Sequence, residues 1–168
     1  MNSFFIIDSY GETKKFRDLV FDNKFLLPSL TLAQNLLFFS NYFGIEPHKI
    51  YEANNLKKRY AKILSEYPKS LSFEDKTKFA ISLYLSLPCN EGYLINLPQI
   101  LNLHWFYEIL YEHKDKNKFI MSGRRPPKIV KFDNFYLLDY FAPKIDICKN
   151  FRDLVVKFTH LKKNSNEV

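Results

Sequence analysis

The side chains best suited to chemistry in this chain are Arg124 and Arg125, adjacent behind Ser122-Gly123 and ahead of Pro126-Pro127. A guanidinium presents a planar fork of donors that matches phosphate or carboxylate oxygens in pairs, and it stacks on flat rings. Only five arginines occur against twenty lysines, so general cation content does not explain an adjacent pair. Lys114 to Lys131 holds seven basic residues, including Lys116, Lys118, Lys128 and Lys131, against the single acid Asp115. Several cations within reach of successive phosphates are what a polyanion backbone requires. Lys57, Lys58 and Arg59 form a second cationic group. It reads either as a solvated helix face or as another contact for the same polyanion.

Other chemistries find less support. His48, His104, His113 and His160 are widely spaced, and Cys89 and Cys148 are far apart. No HExxH or CxxC spacing occurs, so no metal site is predicted. Neither GxGxxG nor GxxxxGK[ST] is present, which removes the glycine-rich phosphate loops and predicts no cofactor. Glu108 and Glu112 lie one helical turn apart and read as an exposed face rather than an acid/base pair. No local motif marks Cys89 as a nucleophile. The chain is predicted not to be an enzyme, and no small-molecule substrate is predicted.

The charge is segregated. Met1 to His113 holds twelve basic and twelve acidic residues, while Lys114 to Val168 holds thirteen against six, which is the whole formal charge of +7. Abundant Lys, Asn, Ile, Phe and Tyr with scarce Ala, Gly and Arg fits an AT-rich genome. That bias would spread lysine everywhere, so the asymmetry marks a polyanion-facing third of the chain.

The elements that must carry these groups are mostly helices. At 168 residues and 46% hydrophobic content, the chain is long enough for one core. The expected fold class is mainly α: a compact bundle of about five helices, a basic extended arm, and at most a small minor β element. Helices are predicted at Ser29 to Phe43, with Gly44 as a left-handed cap, and from Pro47 to Glu66. Two more are expected from a Ser72 cap to Leu87 and from Gln99 to His113, with Trp105 as a core anchor. The last runs from Asp146 to about Leu161. Phe4 to Ile7 reads as an edge strand or a strap, Ile129 to Phe132 as a short strand, and Asp133 to Phe141 as strand or short helix. Ser122 to Pro127 resists helix and central strand alike, so 114–131 is expected to be an exposed arm on a single domain spanning 1–168. The tail from about residue 162 is expected to fray.

The start of the chain lacks the basic and apolar pattern of a cleavable leader, and no run approaches the ~20 apolar residues of a membrane span. A cytoplasmic location without a membrane partner is expected. The functional expectation is a non-enzymatic RNA-binding factor, most plausibly ribosome-associated, whose basic arm contacts rRNA and occupies a functional site as a dormancy factor does. Aromatic residues near the arm, such as Phe119, Phe132 and Tyr136, suit stacking on unpaired bases. The alternative is a helical protein-interaction adaptor or assembly subunit whose Pro-rich basic arm docks on an acidic protein partner. The nucleic-acid contacts expected are Lys116, Lys118, Arg124, Arg125, Lys128 and Lys131, with Lys57, Lys58 and Arg59 as the second patch.

Overall fold

A computed structural model of the chain describes residues 2–7, 20–53, 55–88, 93–113, 118–123, 134–139 and 144–148. It divides into two compact units, Met1–Val20 with Glu91–Val168, and Phe21–Asn90. Among the described residues there are five α-helices, the number expected although two of them divide one expected helix, and helical residues outnumber strand residues: α1 (Leu32–Tyr42), α2 (Pro47–Ala53), α3 (Leu56–Tyr60), α4 (Phe73–Tyr84) and α5 (His104–Glu112).

In the unit Phe21–Asn90, local signals set the helix ends. Thr31 and Gln34 form a reciprocal capping box: Gln34 N donates to Thr31 Oγ1 at 3.2 Å, and Thr31 N donates to Gln34 Oε1 at 2.9 Å. Two further amide groups at the start of α1, on Leu32 and Ala33, donate to the carbonyls of Glu66 and Leu64, each at 2.9 Å. Those carbonyls are available because the chain has left helical geometry by then, so the helix expected from Pro47 to Glu66 ends at Tyr60. It is also interrupted at Asn55, whose φ of 53° is left-handed, a conformation asparagine tolerates better than most residues. Gly44 takes the expected left-handed conformation after α1, with φ of 63°. Ser72 caps α4 as expected, its Oγ accepting from Asp75 N at 3.0 Å.

The core of this unit is aromatic. Phe25 stacks on Phe39 with ring centroids 4.6 Å apart, and the edge of Tyr84 meets Phe25 at 5.4 Å. Tyr60 meets Phe79 edge to face, while its hydroxyl lies 2.9 Å from both the Lys78 carbonyl and Ser82 Oγ. Burial of this area outside water drives the packing, and the hydroxyl keeps a partner inside.

Strand residues are the minority of those described and form one sheet. One six-stranded sheet has the order β2-β3-β4-β1-β5-β6, formed by β1 (Asn2–Ile7), β2 (Val20–Phe21), β3 (Tyr93–Ile95), β4 (Lys118–Gly123), β5 (Asn134–Asp139) and β6 (Lys144–Cys148). β1 is parallel to both β4 and β5, β3 is parallel to β4, and only β6 is antiparallel to its neighbour. The run Phe4 to Ile7 is therefore an inner strand, not an edge strand or strap. Strands of a parallel sheet covered on both faces read as continuous apolar runs, without the alternation that marks a half-exposed strand.

The arm reading of 114–131 is corrected in its centre. Lys118–Gly123 is a strand flanked by β3 and β1, with Phe119 and Met121 fully buried. Three consecutive apolar residues, Phe119-Ile120-Met121, outweigh the flanking lysine. The flanks 114–117 and 124–131, including Pro126 and Pro127, lie outside the described residues. Within the ambiguous 133–141 stretch, Asn134–Asp139 is strand β5. β6 replaces the predicted start of the last helix at Asp146. The remainder of that helix, the strand expected at 129–132 and the tail from 162 lie outside the described residues.

β3, α5 and β4 form a parallel crossover unit, the connection parallel strands need. α5 buries Phe106, Ile109 and Leu110, while Trp105, the expected core anchor, is half-buried beside Phe106. Among the described residues, no helix is long and apolar enough to cross a membrane.

Candidate functional site

α3 is a five-residue helix with two faces. Leu56 and Tyr60, four apart, turn inward, which leaves Lys57, Lys58 and Arg59 exposed. The cationic face predicted from sequence is thus a product of amphipathic spacing. Lys57 and Lys58 do more than face solvent. With His48, Tyr51 and Glu52 of α2 and Asn55 at the junction, they line an open concavity of about 510 Å³. The left-handed turn at Asn55 re-aims the chain between the two helices, so that both contribute to one wall. Asn55 makes no side-chain capping bond. The lining holds two ammonium groups and one carboxylate, Glu52, with a half-buried phenol ring. Such a surface accepts an anion beside a flat ring.

The predicted contacts fall in different units or outside the described residues. Lys118 opens β4, its Cα paired with Asn2 in the unit that holds the sheet. Lys57, Lys58 and Arg59 belong to the other unit. Lys116, Arg124, Arg125, Lys128 and Lys131 lie outside the described residues. Sequence reasoning did not single out His48, Tyr51, Glu52 or Asn55. Their convergence depends on the turn at Asn55, and two adjacent asparagines, Asn54-Asn55, were its only local sign.

A second feature lies at the end of β3. Asn96 follows the buried triplet Tyr93-Leu94-Ile95, and its Nδ2 is buried with no hydrogen-bond partner. Leaving such a donor unpaired costs about 1–3 kcal/mol. In open sheets of parallel strands, ligands bind outside the carboxyl ends of the strands. Asn96 stands at that end of β3. Nearby in sequence, Tyr107 donates its hydroxyl to the Leu101 carbonyl at 2.6 Å, and partial burial pushes its phenol above the ordinary tyrosine range. Among the described residues, no group of His, Cys, Asp and Glu side chains is placed to hold a metal ion.

Comparison with known proteins gives a fold-level relation. No family model matches the chain, and no curated protein matches it. Among solved structures, it is similar to one described as the ATP binding subunit of an ABC transporter, with 25% sequence identity and a TM-score of 0.51. The match covers 67% of this chain, which spans half the length of that structure.

Proposed function

We propose that this chain is a non-hydrolysing assembly subunit built on the fold of that ATP-binding subunit and acting through a protein partner. The observation that carries the reading is Asn96. Proteins that cleave nucleoside triphosphates on a parallel sheet hold Mg²⁺ with an acid and with a Ser or Thr hydroxyl of the phosphate loop. Asn96, the residue after β3, is an amide, which brings no negative charge to a metal ion. The sequence after β1 supports the same view. Asp8 to Lys15, DSYGETKK, has the length of the GxxxxGK[ST] loop and a lysine, Lys14, in its place. Asp8 and Thr13 replace both glycines, and Lys15 replaces the hydroxyl.

Two measurements test this reading. Phosphate release from Mg-ATP by the purified chain is expected to match the protein-free blank. In a native lysate, the chain is expected to sediment in a large complex that survives RNase. Turnover above the blank, or a chain that sediments alone, overturns it.

A second reading keeps the RNA-binding, ribosome-associated factor. The observation favouring it is the concavity that Lys57 and Lys58 share with Tyr51, since cations beside an aromatic ring suit unpaired nucleotides. Collapse of the sedimenting complex after RNase, with binding that weakens steeply in salt and in Lys57→Glu/Lys58→Glu, would select this reading instead.

A further inference from the structure

We infer that the concavity between α2 and α3 binds one nucleoside monophosphate unit, with its base against the ring of Tyr51 and its phosphate between Lys57 and Lys58. The inference deepens the RNA reading by naming the unit bound, and rests on that reading only for the class of ligand.

Tyr51 is the first ground. It is half-buried and follows Ile50, which is wholly inside the unit. Among the described residues, its ring stacks on no other ring and its hydroxyl has no hydrogen-bond partner. Tyr60, nine residues on, has both: its ring meets Phe79 and its hydroxyl reaches the Lys78 carbonyl. An anchored ring that opens onto a cavity without a partner of its own is a platform for a flat group.

Charge supplies the second ground. Among the described residues, no ion pair takes up Lys57 or Lys58. Lys49 of α2, by contrast, has its Nζ 3.2 Å from Glu46, and His48 Nε2 lies 3.5 Å from the same carboxylate. Two uncompensated ammonium groups in one recess attract an anion more strongly than the same charges on a convex face. Glu52 keeps the lining from being positive throughout. It disfavours a bare polyanion and accepts from the hydroxyl or amino donors of a nucleoside.

The recess is also preformed. Asn55 N donates to the Glu52 carbonyl at 3.1 Å, and the Asn55 carbonyl accepts from Arg59 N at 2.9 Å, so the left-handed turn is tied at both ends. Binding then has little chain left to order. Glycine would take this turn at less cost, whereas asparagine also keeps a carboxamide in the lining, and that carboxamide makes no capping bond. The volume of about 510 Å³ is that of a small-molecule site and holds a single nucleotide.

The test is an NMR titration of the isotope-labelled full chain with AMP, adenosine, inorganic phosphate and a short oligoadenylate. AMP is expected to shift the amide signals of His48, Tyr51, Asn55 and Lys58, with adenosine and phosphate each binding at least about tenfold more weakly. Tyr51→Ala and Lys57→Ala/Lys58→Ala are each expected to lose about tenfold in AMP affinity, and only the lysine variant loses the salt dependence as well. Asn55→Gly keeps the turn and is expected to lose about fivefold. Thermal melts check that each variant folds, and Tyr51→Leu, apolar but without a flat ring, replaces Tyr51→Ala if that variant does not. Oligoadenylate binding tighter than AMP, with the same dependence on Tyr51, supports the inference and assigns the unit to a strand. Oligoadenylate binding no tighter than AMP supports it and assigns the unit to a free nucleotide. Absence of shifts at about 10 mM AMP, phosphate binding as tight as AMP, or wild-type affinity in the Tyr51 variant overturns the inference. Collapse of the sedimenting complex after RNase while AMP fails to bind overturns it and leaves the RNA reading standing, so the two can fail separately.

Discussion

Asn35 and Asn96 are the same side chain in opposite circumstances. Asn35, in the helical unit, is fully buried and fully engaged: Nδ2 donates to the carbonyls of Leu27, Leu30 and Thr31, and Oδ1 accepts from Leu27 N at 2.7 Å. It ties the loop before α1 to the helix. Asn96, at the edge of the sheet, has a buried Nδ2 that bonds to nothing. One amide closes a network and the other leaves one open. A buried polar residue serves stability when its partners lie in its own chain, and costs stability when its donor is left open.

The sharpest way to break this comparison is to remove both amides. Asn35→Ala is expected to cost about 3 kcal/mol in thermal or urea unfolding, because it strands Leu27 N and takes a donor from three carbonyls, of which those of Leu27 and Thr31 keep the backbone amides of Leu30 and Asn35. A loss below about 1 kcal/mol would mean that water replaces the network. Next in size is Ser72→Ala, which deletes the cap on Asp75 N and is expected to cost about 1 kcal/mol. Asn96→Leu should leave stability within about 0.5 kcal/mol of wild type or raise it, since no bond is lost and an unpaired donor disappears. Destabilisation on the scale of Asn35→Ala would show that Asn96 is structural and would end the contrast.

The smallest expected effect concerns pH. The phenol of Tyr107 is raised above its ordinary value of 10.0 by burial. The unfolded chain therefore releases this proton first, and stability falls as pH climbs above about 10 toward the folded value. Tyr107→Phe removes that part of the slope. Unfolding midpoints of the two proteins should converge as the pH rises above 10 from a gap set near neutrality by the lost bond to Leu101. A gap that stays constant would show that Tyr107 does not contribute to the alkaline slope.

The two units were not equally legible in the sequence. In the helical unit, information is local. Ser72 caps within three residues, Gly44 reverses φ at the end of α1, and the i, i+4 spacing of Leu32, Leu36 and Ser40 faces them inward. Misreadings there are of length: α2 breaks where Asn55 turns left-handed, and the chain leaves helix after Tyr60 to hand carbonyls to α1. In the sheet, information is distant. Phe4-Phe5-Ile6-Ile7 and Phe119-Ile120-Met121 become inner strands because they lie beside each other, which neither run reveals alone. The candidate site follows the same rule. Lys57 and Lys58 were visible as charges, but their wall with His48 and Tyr51 depends on a turn. Asn96 had no signal beyond an amide after three apolar residues.

The pairing of Asn2 with Lys118 also sets a schedule. During synthesis, the first strand emerges and must wait while the whole of Phe21–Asn90 is made, because its neighbours β4 and β5 are encoded later. The helical unit, rich in short-range contacts, can close while the ribosome is still translating the sheet. Until β4 arrives, Phe4 to Ile7 is an apolar segment with open edges on both sides, the kind of strand that pairs with the wrong neighbour. A chain cut short after α5 would keep that strand and lose both of its neighbours.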